Sequence, residues 1–416
     1  MVGSAGVQSS ALTAPREEPD VVVVGAGIIG LAVARELLAR EPDRTVTVLE
    51  REPVAGFHQT GHNSGVLHAG IYYVPGSLKA RLSTEGSREL YDYCVDRGLP
   101  ARRDGKLIVA VSEAERPKLD ELERRGQANG VRDLRRVSAG EIAAIEPHVR
   151  GVAALHSPQT AVVDFQAIAG SFADDVRAAG GEVITSCPVL DIESAARGIR
   201  LRHGAGESRA RFAVFCAGAW SDRLAVAAGG EEDPRIVPFR GAWLRLRPER
   251  RELVKALVYP VPDPTLPFLG VHFTRGTDDE VLVGPTALLA GARDAYALRR
   301  VRAADLRDTL GWPGTYRMAR RWWRTGLQEL RHAVSRRSLV ADAARYVPEL
   351  READVLPGPA GVRAQALGRD GSLIDDFVLS ESPNALHVRN APSPAATSCL
   401  PLARLIVDRV PTIPRP

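Results

Sequence analysis

Residues Val21 to Glu50 constrain the fold more than any other stretch of the chain. They read Val21-Val22-Val23-Val24, then Gly25-Ala26-Gly27-Ile28-Ile29-Gly30, then an apolar-periodic segment to Arg40. A second apolar run from Thr45 to Leu49 ends at Glu50. The order is strand, glycine turn, helix, strand, acid. Gly25 permits the tight turn, Gly27 lets backbone approach a pyrophosphate, and Gly30 lets helix close on strand. The free N–H groups of the helix N-terminus then face the anion. Glu50 follows Gly30 by twenty residues, the place where a carboxylate accepts hydrogen bonds from a ribose diol. The glycine pattern alone is weak evidence. In this full context it predicts a dinucleotide-binding α/β unit, against the alternative of a tight strand–helix turn with no ligand.

The chain has 416 residues, enough for two cores, so a two-domain enzyme is the expectation. Its 44% apolar and 25% charged residues are ordinary for a globular protein. No apolar run approaches the roughly 20 residues that span a bilayer. A net charge of +4 gives no case for nucleic acid and suits an anionic substrate. Cys94, Cys187, Cys216 and Cys399 are far apart, as expected of buried free thiols in a reducing compartment. The expected location is therefore the cytoplasm. Residues 1–18 read as a disordered leader, because a signal peptide needs a basic start and a longer apolar core.

The second informative stretch runs from His58 to Lys79. Glycines at 61, 65, 70 and 76 reject a long helix and are interleaved with His58, His62, His68, Asn63 and hydroxyl groups. Glycines bring backbone close to a ligand, and polar groups then give direction. The alternative is a polar loop with satisfied histidines. Neither carboxylate nor cysteine accompanies these histidines, so a metal is not expected.

Further on, helices are expected at 79–97, 117–129, 138–145 and 162–179, with Ser138 and Glu141 forming a capping box. Strands are expected at 106–111, 182–185, 189–193 and 211–216, the last running into the small-residue turn Ala217-Gly218-Ala219-Trp220. The section from Arg235 to Val283 reads as antiparallel, with strands at 235–246, 256–259, 269–274 and 280–283 and a proline-rich loop at 260–267. Residues 303–337 read as mostly helical. Their last part carries seven arginines beside Trp322 and Trp323. A solvated basic face with tryptophans packed inward is the favoured reading, and contact with a membrane surface is the alternative. Strands at 361–367, 373–379 and 385–388 lead to a turn at 390–398 and a last helix at 400–410. With one glycine fingerprint only, a flavin fits better than a nicotinamide, because a single bound redox group must itself take electrons and pass them on.

The stretch from His58 to Ala80, HQTGHNSGVLHAGIYYVPGSLKA, resembles the signature of the L-2-hydroxyglutarate oxidases/dehydrogenases, within the D-amino-acid-oxidase-like flavoproteins. Pro238-Phe-Arg-Gly241, Tyr259-Pro-Val-Pro-Asp-Pro264, Pro267 to Arg275, Val283-Gly-Pro285, Pro359 to Ala366, Leu373-Ile-Asp-Asp-Phe377 and Asn390 to Ser398 agree with it. The resemblance runs from about Val21 to Asp408 and is weakest from Leu288 to Tyr346. It implies an α/β fold, α+β overall, with a Rossmann-like FAD-binding domain and a second, antiparallel-sheet substrate domain. The FAD-binding parts are expected at 19–100, 151–234 and 347–416, and the substrate domain at 101–150 and 235–346.

The resemblance also implies oxidation of L-2-hydroxyglutarate to 2-oxoglutarate, by hydride transfer from C2 to flavin N5. Electrons then pass to oxygen or a quinone, which adds the inner face of the cell membrane as an alternative location. For FAD it points to Gly25, Gly27, Ile28, Ile29, Gly30, Glu50, Arg51, Thr60, Asn63, Ser64, Gly65, Val189, Ala217, Gly218, Trp220, Pro394, Ala395 and Thr397. Histidine is the usual base near neutral pH, with His272 expected first and His68 second, against an orienting role for either. A dicarboxylate substrate calls for cationic forks. Arg363 is expected at one carboxylate; Arg240, Arg275 and Lys79, with Tyr73, are candidates near the other. Asp375 and Asp376 are adjacent and face opposite ways on a strand, so they are not a dyad. Two rivals stay open: the same fold acting on another 2-hydroxy acid, amino acid, secondary amine or glycerol phosphate, and a flavoprotein without turnover.

Overall fold

The computed structural model describes residues 15–195, 197–263 and 269–412. Most of the leader and part of the proline-rich loop lie outside these residues. Arg16 and Glu17 are engaged: Arg16 pairs with Glu182, and the Glu17 carbonyl accepts from Arg209 N–H.

The four valines of Val21–Val24 are fully buried or nearly so, and they form the centre of a six-stranded sheet. They pair in parallel with Val46–Leu49 on one side and Phe212–Phe215 on the other. Glu182–Ile184 and Ala385–Asn390 extend the sheet in parallel, and Val378–Ser382 closes one edge as an antiparallel strand. The helix Ile28–Arg40 is buried on most of its circumference against Phe165–Ala178 and Cys399–Val407. An apolar helix covered by its neighbours needs no strong amphipathic face.

The second sheet has nine strands. Its spine is the long strand Arg235–Leu246, paired in antiparallel with Val355–Leu367 so that Phe239 faces Arg363 and Gly241 faces Gly361. Val281–Gly284, His272–Arg275 and Leu257–Pro260 follow in antiparallel order. Leu257–Pro260 then pairs with Lys106–Ala110 in parallel, so the expected antiparallel sheet is mixed at this one joint. Ala153–Ser157 and Val355–Leu367 both belong to this sheet, whereas the sequence placed their segments with the FAD-binding part. The physical reason is pairing: each finds its antiparallel partner here, Ala153–Ser157 on Lys106–Ala110 and Val355–Leu367 on Arg235–Leu246.

One expected helix starts later than its sequence suggested. Ala161–Val163 is a short strand paired with Val66–Leu67, and Asp164 then caps Phe165–Ala178 by accepting from Gln166 and Ala167 N–H groups. The aspartate is a strong N-cap, and β-branched Val162 and Val163 suit a strand. The capping box of Ser138 and Glu141 forms as expected.

Two glycines are required by backbone contact. A Cβ on Gly25, whose φ is +105°, would lie 2.5 Å from the Cys216 carbonyl oxygen, and a Cβ on Gly30 would lie 1.9 Å from that of Gly25. Both obstacles are backbone and cannot rotate away. Gly30→Ala is therefore expected to cost about 2 kcal/mol or more and to release bound dinucleotide. Thermal unfolding and the flavin content of the purified protein check this; a variant with unchanged melting point and full flavin would contradict it.

Candidate active site

The carboxyl ends of the parallel strands meet the mixed sheet across one cavity of about 1080 Å³. Val24, Leu49 and Cys216 mark its sheet end, the crevice where open α/β sheets bind ligands. Two paired strands form the opposite wall: Phe239, Gly241 and Trp243 from one, and the run from Gly361 to Gln365 from the other. His272 and Tyr259 come from the strands beyond. On the first of these strands alternation projects Phe239 and Gly241 toward the cavity, with Arg240 between them outside it.

At the sheet end, the buried Glu50 carboxylate accepts from Ala26 N–H at 2.7 Å and Glu52 N–H at 2.9 Å. Burial raises its pKa, and these two donors oppose the shift. Thr60 Oγ1 accepts from Ile28 N–H at 3.1 Å, which ties the polar loop to the start of the glycine-turn helix. Asn63 braces the same loop by donating to the Thr60 carbonyl and accepting from Gly65 N–H. Arg51 lies over the Trp220 ring at 4.0 Å. Thr397 Oγ1 accepts from His68 N–H at 3.2 Å, joining the last small-residue turn to the glycine-rich loop. Of the residues expected at FAD, all but Gly30 and Gly65 line the cavity. Those two support it through close backbone packing, Gly65 against the Val163 carbonyl.

At the far end, His272 is buried and stacks on Tyr259, with ring centres 4.1 Å apart. Its Nδ1 lies 2.9 Å from the Gly270 carbonyl oxygen. A carbonyl only accepts, so Nδ1 carries the proton and Nε2 keeps the lone pair. His68, Tyr73 and Arg363 line the same cavity. The buried polar atoms His68 Nδ1, Tyr72 OH, Trp243 Nε1 and Asn390 Oδ1, on residues that also line it, have no hydrogen-bond partner among the described residues. Such groups are rarely left unpaired, and a polar ligand would satisfy them.

Two expected cations, Arg240 and Arg275, stand elsewhere, and Lys79 meets the cavity only through residues that line it. Arg240 alternates with Phe239 and Gly241, so it faces away from the cavity and donates to the Tyr296 carbonyl at 3.3 Å. Arg275, three residues from His272 on one strand, emerges on the opposite face and pairs with Asp279 at 3.0 Å. Lys79 is buried and paired with Asp375 at 2.5 Å, with the Tyr73 ring 5.5 Å from its ammonium. His58 and His62 are held by Tyr296: His58 bonds its hydroxyl at 2.9 Å, and His62 stacks on its ring at 3.9 Å.

Tyr72, Tyr259, Trp243 and Lys106 were not singled out from sequence. Lys106 carried one usable signal, a cation opening the otherwise apolar strand Lys106-Leu-Ile-Val-Ala110. The others are apolar-tolerant: the roles of Tyr259 and Trp243 depend on which strand face meets the cavity, and Tyr72 lies in a turn.

Burial is the leading cause that pushes the His272 pKa down to about 4 and that of His68 down to about 3. Lys106 lowers both further, Arg363 adds to the effect on His272, and His272 and Lys79 add to that on His68. Between pH 6.5 and 4 these rings bind protons in the unfolded chain but not in the fold. Their contribution to stability is thus complete above pH 6.5 and lost as pH falls toward 4. The thermal midpoint is expected to drop steadily through that window; a flat midpoint would contradict the burial of neutral histidine.

The chain matches the family of FAD dependent oxidoreductases over residues 20–409. It is 45% identical over 414 residues to the mitochondrial L-2-hydroxyglutarate dehydrogenase of Nematostella vectensis, covering 95% of this chain and 91% of that protein. The human mitochondrial L-2-hydroxyglutarate dehydrogenase is 44% identical, with 94% and 88% covered. The L-2-hydroxyglutarate dehydrogenase of Indibacter alkaliphilus is 41% identical, with 93% and 98% covered. The chain belongs to this family of FAD-dependent oxidoreductases. The fold agrees: FAD-bound L-α-glycerophosphate oxidase from Mycoplasma pneumoniae superposes with a TM-score of 0.76, at 24% identity and 94% coverage of both chains. Such a flavoenzyme needs a cradle for the dinucleotide, and the glycine turn, the Glu50 carboxylate and the unpaired polar atoms of the cavity fit FAD in their chemistry.

Proposed function

We propose that this flavoenzyme oxidises L-2-hydroxyglutarate to 2-oxoglutarate, with oxygen or a quinone as the final electron acceptor. The observation that carries the reading is the continuity of one cavity from the glycine turn to His272 and Arg363. Bound there by the glycine turn and Glu50, FAD would supply a two-electron acceptor for the C2 hydride. His272 Nε2 takes the hydroxyl proton, its lone pair kept free because Nδ1–H is committed to Gly270. A dianionic substrate raises the affinity of the ring for that proton, so the base strengthens when it is needed. Arg363 fixes one carboxylate by its planar fork. Tyr72, Tyr73 and Trp243 supply donors toward the rest of the substrate. The test is turnover on a panel of L- and D-2-hydroxyglutarate, shorter 2-hydroxy acids, amino acids, sarcosine and glycerol phosphate. Selective oxidation of L-2-hydroxyglutarate is expected, and equal or better turnover of an amine would move the reading to another substrate class.

The acceptor side rests on the helix Pro313–Val334. Trp322 is half-buried against the cluster around Trp312, but Trp323 is 56% exposed, so only one of the two tryptophans packs inward. The helix is kinked at Trp322, and in the part beyond the kink Trp323, Leu327, Leu330 and Val334 recur at helical spacing and are all exposed, Val334 at 72%. Arg320, Arg321, Arg324 and Arg331 are exposed on the same helix. No helix among the described residues is long and apolar enough to cross a membrane. An apolar stripe beside arginines fits the surface of an anionic bilayer, where a quinone resides. The protein is expected to float with vesicles containing phosphatidylglycerol, and Trp323→Ser with Leu327→Ser to lose most of that binding with activity on a soluble acceptor retained. Vesicle binding unchanged in the double variant would contradict this contact.

A further inference from the structure

Lys106 is a buried cation that the reaction scheme above does not use. It opens the strand Lys106–Ala110 and is 1% exposed. Leu257 and Ser157 flank it from the neighbouring strands. Among the described residues no carboxylate lies within ion-pairing distance of it. Its ammonium stands 5.0 Å from the centre of the Tyr72 ring and 4.7 Å from that of Tyr259. Two ring faces offset part of the lost hydration. The Tyr259 ring is also the one stacked on His272. One aromatic side chain therefore touches both the buried cation and the imidazole.

We propose that Lys106 is a positioning residue whose charge, held against the same Tyr259 ring that stacks on His272, adds to burial in keeping His272 neutral and able to accept a proton until an anionic substrate arrives; this rests on the reading of His272 as the base. The surrounding groups agree in sign. His272 faces Lys106 and Arg363, both cationic, and is opposed only by the Gly270 carbonyl. His68 faces Lys106, His272 and Lys79. Tyr72, Tyr73 and Tyr259 stay neutral because burial raises their pKa values. Asp375, the nearby carboxylate, is paired with Lys79. Desolvation lowers Lys106 itself to about 7. Asp375 and Glu329 act on Arg363 from within the chain, and the two carboxylates of a dicarboxylate add negative charge beside Lys106 and His272. Binding then draws protons toward Lys106 and His272 together.

The test uses FAD-loaded wild type, Lys106→Met and Lys106→Arg, each labelled with ¹⁵N at the histidine rings and titrated by NMR. In Lys106→Met the His272 titration is expected to move up by about half a pH unit or more, because a like charge has gone. Lys106→Arg, which keeps the charge, is expected to titrate like wild type. The acid limb of flavin reduction should shift the same way. A folded Lys106→Met with an unmoved His272 titration overturns the proposal. Should Lys106→Met not fold, wild type decides: with Lys106 Nζ also labelled, the His272 ring must show an inflection where Lys106 titrates, and its absence overturns the proposal. Failure of the underlying reading looks different. His272→Asn would then reduce its flavin at nearly the wild-type rate, while the NMR shift in Lys106→Met persisted.

Discussion

His272→Asn lowers the rate of flavin reduction by L-2-hydroxyglutarate about 10²-fold or more, with FAD content and melting point near wild type. The asparagine side chain can still donate to the Gly270 carbonyl, so the local hydrogen bond survives. What is lost is the imidazole lone pair at Nε2 and its capacity to take a proton. His68 is the competing base, with a buried Nδ1 that has no partner among the described residues. The same substitution there separates the two: the base gives the large loss in the reduction step, and an orienting histidine a loss of a few-fold. A His272→Asn enzyme that reduces its flavin within a few-fold of wild type would transfer the role to His68.

Arg363→Met raises the KM for L-2-hydroxyglutarate by about 10²-fold, with little change in FAD content. Arg363 stands in the wall opposite the glycine turn, in register with Phe239 on the neighbouring strand, and lines the cavity. Methionine keeps much of the length and the apolar stem but has no donor. Hydrogen bonds to a charged group contribute about 1.5–3 kcal/mol each, which sets the size of the loss. Steady-state kinetics and the flavin absorbance of the purified variant check it together. A variant that loses FAD and keeps its KM after reconstitution would show that Arg363 supports the fold and not the substrate.

The sheet end of the site was legible in sequence because its chemistry lives in backbone. Gly25 and Gly30 admit no Cβ, so the pattern of glycines reports the geometry directly. Glu50 was placed by its distance along the chain from the turn, and it does meet the turn, through Ala26 N–H. Single cations were less legible. Arginine is common, and only strand register decides whether it faces the cavity: Arg240 and Arg275 fall on the wrong faces of strands whose other faces carry site residues. Lys79 is paired with Asp375, a partner 296 positions away in sequence that its own stretch could not show. Lys106 was passed over because one lysine at the start of a strand ordinarily marks a solvated end. Here the parallel joint with Leu257–Pro260 buries that end. The sheet membership of Ala153–Ser157 and Val355–Leu367 was hidden for a similar reason, since each strand finds its partner far away in the chain.

The most direct measurement is anaerobic mixing of the purified yellow protein with L-2-hydroxyglutarate, following flavin absorbance, with the D enantiomer as control. Rapid bleaching by the L form alone, with 2-oxoglutarate formed in equal amount, is the predicted result. Readmission of air or of a quinone analogue then names the acceptor by the rate at which colour returns. A protein that holds FAD and does not bleach with either enantiomer would contradict the proposed reaction while leaving the fold and the cofactor in place.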